Sequence, residues 1–313
     1  MQNKKNNSSL STIFLAILAC MLWSTAFAGV KFGLRFVKPL SFAGVRFMIA
    51  GMIILPACGR LKDVLAEIRS NLRTVLCVTF FQTLLLYILF YWGMSIIPGA
   101  LGAIIIGSSP MFSAIMAHFL MQDDEMTLQK MMSILIGIGG VFLISISRRP
   151  WSYKGLRELL GVMLLIGGNT SSAFGNILVA KDKKKMDPLI LNSVQIFLGG
   201  FLIFLVSLVV EGPPHWSGPF SFYLVLLWLS ILSAVSVSIW FTLLKRPGVK
   251  VSELNLWKFI IPVFGALLSW ILLTDESPDT ISILGMVSVA LSILIYHIPW
   301  WSKDYRSSIK INF

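Results

Sequence analysis

Two basic side chains, Arg46 and Lys258, lie inside long apolar stretches of the sequence. A charged group in hydrocarbon costs from about 3 to more than 10 kcal/mol, so such a residue is normally paired or faces a water-filled cavity. Either side chain could attract a carboxylate or another anionic group of a small ligand. For Arg46 the competing interpretation is a structural or gating role, in which the guanidinium caps backbone carbonyls or pairs with a partner. For Lys258 it is snorkelling to the membrane edge or pairing with Glu253.

Uncharged polar and aromatic residues form a second set within the apolar stretches. Beside the two cations, the candidate substrate-binding residues are Trp23, Ser24, Gln82, Tyr87, Ser108, Asn169, Asn176, Gln195, Trp240 and Asn255. Hydroxyl and amide groups with a few aromatic rings suit a small polar or zwitterionic metabolite. Each could instead make a hydrogen bond between helices, worth about 1 kcal/mol, without any ligand.

Patterns typical of catalysis or metal binding are missing from the sequence. The three cysteines form no CxxC pair and the three histidines are far apart, so a zinc site and a disulfide framework have little support. There is no HExxH motif, no Ser/His couple at helical spacing and no pair of catalytic carboxylates. We therefore expect neither an enzyme nor a cofactor or metal site.

The composition indicates that most side chains are surrounded by lipid or protein. Of the 313 residues, 56% are apolar and 13% are charged, whereas a soluble protein is usually about a quarter charged. The mean hydropathy is +0.83. The net charge of +12 does not indicate nucleic acid, because the basic residues lie in short clusters between apolar runs. The expected class is an all-α integral membrane protein in contact with a lipid bilayer.

Apolar runs of about 20 residues, the length needed to cross ~30 Å of hydrocarbon, predict ten transmembrane helices. They lie at residues 11–31, 40–57, 73–93, 99–120, 128–147, 158–180, 188–210, 221–244, 251–273 and 280–299. A cleavable signal peptide is the alternative for the first run, which follows Lys4-Lys5 and contains Ala26-Phe27-Ala28. We favour a span, because the apolar run continues to Phe32.

The distribution of basic residues predicts the orientation of these spans. With the N-terminus in the cytoplasm, seventeen of the 26 Lys and Arg residues fall in cytoplasmic segments and seven on the opposite side. This positive-inside bias predicts that the tails at residues 1–10 and 300–313 are both cytoplasmic. The expected location is the inner (plasma) membrane of a bacterium.

Residues 98–125 and 247–276 resemble each other and indicate an internal repeat. Each segment begins with Pro-Gly, has a proline in mid-span (Pro110 or Pro262) and ends in an acidic pair. The chain thus divides into five-span halves at residues 11–147 and 158–299, joined by a loop at 148–157. Because five is odd, the second half must enter the membrane inverted, an arrangement typical of transporters. Chance similarity between apolar helices is the alternative. The two prolines are candidate points of helix bending.

Over about residues 12–297 the sequence resembles the EamA family of the drug/metabolite transporter superfamily. The resemblance rests on the order and spacing of Trp23-Ser24, Lys31, Pro39, Arg46-Phe47, Gly93, Pro98, Ala100, Ser108-Ser109-Pro110, Glu125, Asp187-Pro188, Ser252, Pro262-Val263, Glu276 and Gly285. It implies ten helices, an inverted pseudo-two-fold axis and transport of small metabolites, often amino-acid export. The sequence departs from the family pattern at Ser24 and at Ser133 or Ile134, where the family has glycine. It departs again at Lys258, where the family is usually apolar.

Together these features predict a secondary transporter that exports a small polar metabolite, either an amino acid or an organic anion. Alternating access would occur at a midplane cavity between the halves. A passive channel and a lipid-handling or structural membrane protein are the alternatives. The small multidrug branch of the superfamily depends on a buried glutamate in its first span. Here that span holds Trp23 and Ser24 instead, so antiport of cationic drugs is disfavoured.

Overall fold

A computed structural model of the chain describes residues 2–97, 99–147, 156–182, 186–214, 216–272 and 279–297, and its regular elements are helices. The first half contains α1 (Gln2–Gly33), α2 (Pro39–Ile54), α3 (Leu61–Ser70), α4 (Leu72–Val78), α5 (Leu86–Ile96), α6 (Gly99–Gly107), α7 (Ser109–Leu120) and α8 (Leu128–Ser147). The second half contains α9 (Leu156–Lys181), α10 (Pro188–Val210), α11 (Phe220–Lys245), α12 (Val251–Leu256), α13 (Ile260–Leu272) and α14 (Thr280–His297).

Six of the described helical segments are long and apolar enough to cross a membrane. They are Pro39–Cys58, Leu72–Ile96, Leu128–Ile146, Leu156–Lys181, Pro188–Val210 and Phe220–Lys245. Shorter apolar stretches at Leu10–Ala26, Ile104–Leu120 and Thr280–Tyr296 coincide with the first, fourth and tenth predicted spans. The described part of the chain is helical, as predicted, and the number of ten spans stays a prediction.

Three of the spans that the sequence predicts as continuous are interrupted. The interruptions are a π-helix at Thr79–Leu85 between α4 and α5, a break at Ser108 between α6 and α7, and a 3-10 turn at Trp257–Phe259 between α12 and α13. Hydropathy does not reveal them, because an apolar run has the same composition whether its backbone is regular or broken. Sequence analysis also does not predict α3, which is too short and too polar to be a span.

Each of the last two interruptions lies within one turn of a proline. Pro110 follows the break at Ser108, and Pro262 follows the 3-10 turn. Proline has no N–H to donate, and its ring clashes with the carbonyl four residues earlier, that of Ile106 or Lys258. The helix is therefore loosened just before each proline, and Lys258 lies in one of the two loosened turns.

The helices pair in the same way when the two halves of the chain are exchanged. α2 packs along α10, and α8 packs along α14. α1 packs against α11, and the equivalent pair after the exchange is α9 against α5. α1 also packs against α13, and the equivalent pair is α9 against α7. Each of these pairs takes one helix from each half, so the two halves share an extensive interface.

Glycines allow the backbones to approach closely at both of the symmetric contacts. A Cβ atom added at Gly200 on α10 would lie 2.7 Å from the backbone nitrogen of Met48 on α2. One added at Gly140 on α8 would lie 2.6 Å from the carbonyl oxygen of Gly285 on α14. Small residues serve this purpose where helices associate in lipid, since packing replaces the hydrophobic effect there.

Candidate functional site

Arg46, on α2, is held by a hydroxyl group of the other half. Its side chain is buried, and Nε and Nη2 donate hydrogen bonds of 3.2 and 3.1 Å to the Ser233 hydroxyl oxygen on α11. Ser233 uses its own proton for the Leu229 carbonyl, which leaves its oxygen free to accept. The guanidinium carbon of Arg46 lies 4.6 Å from the centre of the Phe47 ring. Among the described residues, no carboxylate forms a salt bridge with Arg46.

Lys258 lies beside two indole rings. Its Nζ is 4.9 Å from the ring centre of Trp240 on α11 and 5.8 Å from that of Trp23 on α1. The two rings are 5.0 Å apart in an edge-to-face arrangement, and the π faces can stabilise a cation. Glu253 pairs with Lys250 at 3.8 Å, so the pairing of Lys258 with Glu253 considered from the sequence is not formed. Lys258 has no ion-pair partner in the described part of the chain.

The two cations contact the same face of α11. Ser233, which binds Arg46, and Trp240, which contacts Lys258, are seven residues apart. Seven residues make almost two full turns and a rise of about 10 Å. The site therefore contains two positive charges arranged along one helix that belongs to the second half.

Three amide side chains form a chain of hydrogen bonds that reaches the turn before Lys258. Gln82 Nε2 donates to Asn176 Oδ1 at 3.4 Å, and Asn176 Nδ2 donates to Asn255 Oδ1 at 3.3 Å. Gln82 lies in the π-helix, an element that is often found at functional sites. Its Oε1 fits against Gly175, where any larger residue would collide with it. The chain thus joins the third, sixth and ninth predicted spans.

Two polar atoms at this site are buried without a hydrogen-bond partner among the described residues. They are Gln82 Oε1 and Trp240 Nε1. A buried donor or acceptor left unpaired costs about 1–3 kcal/mol, so proteins seldom keep one that has no use. These two atoms are therefore candidates for binding a ligand.

Gln195 belongs to a separate and internally satisfied chain. Its Oε1 accepts from Thr83 at 2.6 Å, its Nε2 donates to Asn192 at 2.9 Å, and Asn192 donates to Ser238 at 2.9 Å. Gln195 is 1% exposed. Both the oxygen and the nitrogen of the Gln195 amide are thus hydrogen-bonded within the protein, as expected of a structural residue. Sequence reasoning missed Thr83, Asn192 and Ser238 as its partners, although each is a polar residue within an apolar run.

The other sequence-predicted residues lie at different places in the fold. Ser24 and Ser108 donate to carbonyls of their own helices at 2.6 Å. Asn169, on α9, donates to the Ile105 carbonyl of α6 at 2.5 Å, three residues before the break at Ser108. The Tyr87 ring lies 4.3 Å from that of Phe47 and so belongs to the surroundings of Arg46.

Two buried ion pairs that sequence reasoning missed tie helix ends together. Lys130 binds Asp124 at 2.6 Å, and Asp124 also accepts from the Ser252 backbone N–H at 2.8 Å, at the start of α12. Lys245, at the end of α11, binds Asp182 at 2.8 Å. For the first pair the sequence signal available was an acidic residue six positions before a basic one, around the connection between α7 and α8. The second pair is 63 residues apart and offers no such local signal. In the described part of the chain, no group of three His, Cys, Asp or Glu residues is placed to hold a metal ion.

Comparison with known proteins identifies the family. Residues 10–146 and residues 159–297 each match the sequence model of the EamA-like transporter family. The chain belongs to the EamA-like transporter family. The resemblance drawn from the sequence is thereby confirmed, and this EamA-like protein is a multi-pass membrane protein of a transporter family.

Relatives that are named as transporters align with this EamA-like protein over nearly their whole length. The uncharacterized transporter YvbV of Bacillus subtilis is 24% identical over 94% of this chain and 92% of its own. A probable amino-acid metabolite efflux pump of Escherichia coli is 26% identical, with 95% and 97% covered. An S-adenosylmethionine/S-adenosylhomocysteine transporter of Chlamydia trachomatis is 24% identical, with 91% and 89% covered. One crystal structure, 14% identical, matches 92% of this chain and 96% of its own with a TM-score of 0.76, which shows a common fold.

Proposed function

We propose that this EamA-like protein is a secondary transporter that exports a small polar metabolite, an amino acid or an organic anion, by alternating access. The observation that carries the proposal is the pair of cations, Arg46 and Lys258, that lie at the interface of the two halves and have no carboxylate partner among the described residues. Lys258 also lies where a helix is broken, and secondary transporters typically bind substrate at discontinuous helices between their repeats.

The named relatives support transport and leave the substrate to be argued from the site. The Escherichia coli relative is called a probable amino-acid metabolite efflux pump, and the chlamydial one a transporter of S-adenosylmethionine and S-adenosylhomocysteine. The same fold thus accompanies substrates of different chemistry, so the side chains at the interface must select among them.

The proposed membrane arrangement is ten spans in two inverted halves at residues 11–147 and 158–299. Both tails, 1–10 and 300–313, and the connections that hold most of the basic residues are on the cytoplasmic side of the inner membrane, and the loop at 148–157 is on the opposite side. The exchange symmetry of the helix pairs supports this arrangement. So does the loosening before Pro110 and Pro262, which are the proposed points of bending when one half rocks against the other.

The residues have distinct proposed roles. Arg46 and Lys258 attract the anionic group of the substrate, and the indoles of Trp23 and Trp240 cover its apolar part. The amide groups and Tyr87 supply neutral polar contacts, and the remaining residues hold the helices of the site in place. The neutral set is Gln82, Asn176 and Asn255, and the supporting set is Ser24, Ser108, Asn169 and Gln195.

The test is uptake by liposomes that contain the purified protein, with a panel of radiolabelled amino acids and organic anions. Saturable flux of at least one of them is expected. Arg46→Gln and Lys258→Gln should each lower the initial rate about tenfold or more, since each removes a charged contact. Lys250→Gln, on an exposed lysine eight residues before Lys258, is the matched control and should transport normally.

Absence of flux for the whole panel would refute the transport function. Flux that rises linearly with concentration and never saturates would favour a passive channel instead. A variant with unchanged transport would remove the proposed role of the residue concerned.

A further inference from the structure

The carboxylates of the described residues all lie near helix ends or in connections between the spans. They are Asp63, Glu67, Asp123, Asp124, Glu125, Glu158, Asp182, Asp187, Glu211, Glu253 and Asp279. Glu253, the nearest of them to Lys258 in sequence, is at the first turn of α12 and pairs with Lys250. Asp124 is occupied by Lys130 and Ser252. No carboxylate of the described residues is therefore placed within a span to receive an ammonium group.

Both cations of the site are surrounded by neutral side chains. Arg46 contacts the Ser233 hydroxyl and the Phe47 ring, and Lys258 contacts the rings of Trp23 and Trp240. Neutral hydroxyls and π faces stabilise a buried cation only in part, whereas an anion compensates its charge. The field at the site is therefore positive over the two turns of α11 that separate the cations.

The unpaired polar atoms also favour an anionic ligand. Trp240 Nε1–H is a donor without an acceptor, and a carboxylate oxygen is a strong acceptor. Gln82 Oε1 is the unpaired acceptor, and it is neutral. It can accept from a hydroxyl group of a ligand, but it cannot neutralise an ammonium group that lies in the field of two cations.

We infer that the molecule carried is an organic carboxylate without an ammonium group, selected over the zwitterionic amino acid of the same skeleton, with Lys258 as the residue that makes the selection. The inference rests on the proposed transport function, because it names the substrate class of that same site. The carboxylate binds at Lys258 and Trp240, and its apolar body packs against the indole rings. An amino acid offers the same carboxylate, but its ammonium group is repelled by the two cations and meets no anionic partner in the described part of the chain.

The experiment compares matched pairs of ligands on the purified full-length protein. Phenylpyruvate is paired with phenylalanine, and 4-methyl-2-oxopentanoate with leucine. Within each pair the skeleton is the same, and the ammonium group is replaced by an oxo group. Affinity is measured by titration calorimetry in detergent, and flux is measured in liposomes with the same four compounds. The oxo acids should bind at least about tenfold more tightly than their amino acids, as expected for one charged interaction gained or lost.

Three variants distinguish a loss of ligand selectivity from a loss of the folded structure. Lys258→Gln should bring the two affinities within about threefold of each other, because it removes the charge and keeps a similar length. Lys258→Arg keeps the charge and should retain the preference, which shows that a folded site with a cation is sufficient. Lys250→Gln, the matched control, should match the unmodified protein.

The results distinguish this inference from the proposed transport function. Flux of the amino acids equal to or above that of the oxo acids leaves transport standing and overturns the inference. Tighter binding of the oxo acids without any flux refutes transport, and with it the claim that an oxo acid is carried, while the binding preference of the site for the carboxylate without an ammonium group stands. An affinity ratio unchanged by Lys258→Gln, or oxo acids that do not bind at all, overturns the inference.

Discussion

Replacement of Asp124 by alanine should destabilise the protein far more than an ordinary substitution in a connection. The Asp124 and Lys130 side chains are 2% and 5% exposed and 2.6 Å apart, and the carboxylate also accepts from the Ser252 N–H. Its removal leaves the Lys130 ammonium buried, with the Glu125 carbonyl as its one remaining acceptor among the residues that the structure describes. Breaking a buried ion pair in this way costs about 3–5 kcal/mol. Loss of the acceptor at the start of α12 adds about 1 kcal/mol.

A double-mutant cycle with Lys130→Met tests which part of this loss comes from the stranded charge. Methionine fills a similar volume and carries no charge, so Asp124→Ala/Lys130→Met should recover about 2–4 kcal/mol relative to Asp124→Ala alone. The part that is not recovered belongs to the lost acceptor of Ser252. The two substitutions are therefore expected to be strongly non-additive.

Melting in detergent, followed by tryptophan fluorescence, measures the effect. At about 2–4 °C per kcal/mol, the combined loss of about 4–6 kcal/mol in Asp124→Ala should lower Tm by about 8–24 °C, and the double variant should regain roughly half of the loss. Asp63→Ala, on an exposed carboxylate of α3, is the control and should shift Tm by less than about 2 °C. A small effect of Asp124→Ala, or a double variant less stable than either single one, would refute the reasoning.

Three further predictions concern packing, the orphan donor and a helix end. Gly140→Ala should lower Tm, because the new Cβ would meet Gly285, whereas Gly139→Ala, with no atom within 4 Å, should leave Tm unchanged or raise it slightly; equal shifts would contradict the close helix contact. Trp240→Phe removes a buried unpaired donor and should weaken ligand binding in calorimetry, because the acceptor of the ligand loses its partner; an unchanged affinity would exclude that donor from the site. Glu211→Gln should destabilise by about 0.5–1 kcal/mol, because its carboxylate accepts two backbone N–H groups at the start of α2; chemical denaturation in detergent measures this, and no change would show that the carboxylate charge contributes nothing there.

The helices could be predicted because each depends on information within its own stretch of sequence. The run at 188–210 begins after Asp187, whose carboxylate accepts from the N–H groups of Leu189 and Ile190, and it ends at Glu211. The proline at the first position and the apolar length that follows are both readable without a structure. Predicted and observed bounds of this helix agree for the same reason.

The site was predictable only in part, because its geometry depends on residues distant in the sequence. Arg46 and Lys258 could be recognised as cations in apolar runs. The partner of Arg46 is Ser233, 187 residues away, one of several serines on α11 that composition does not distinguish. The indoles that meet at Lys258 come from the first and eighth predicted spans. Nothing in either local pattern predicts that they meet.

The buried ion pair of Lys245 and Asp182 could not be predicted either, because the two residues are also distant in the sequence. Lys245 counts in the sequence as one more basic residue on the cytoplasmic side, and its charge does support the predicted orientation. In the fold it is 8% exposed and bound to Asp182, 63 residues earlier. The sign of the charge was informative about topology, but its burial could be known only from the packing of α9 against α11.

The most direct test of the central claim, a carrier with one site shared by two halves, is counterflow in liposomes. Liposomes are loaded with a high concentration of unlabelled 4-methyl-2-oxopentanoate and diluted into trace labelled compound. A carrier that exposes its site alternately to each side should accumulate label transiently above equilibrium, and Lys258→Gln should abolish the overshoot while Lys250→Gln preserves it. Uptake that rises smoothly to equilibrium without an overshoot, in saturating and in trace conditions alike, would contradict the account.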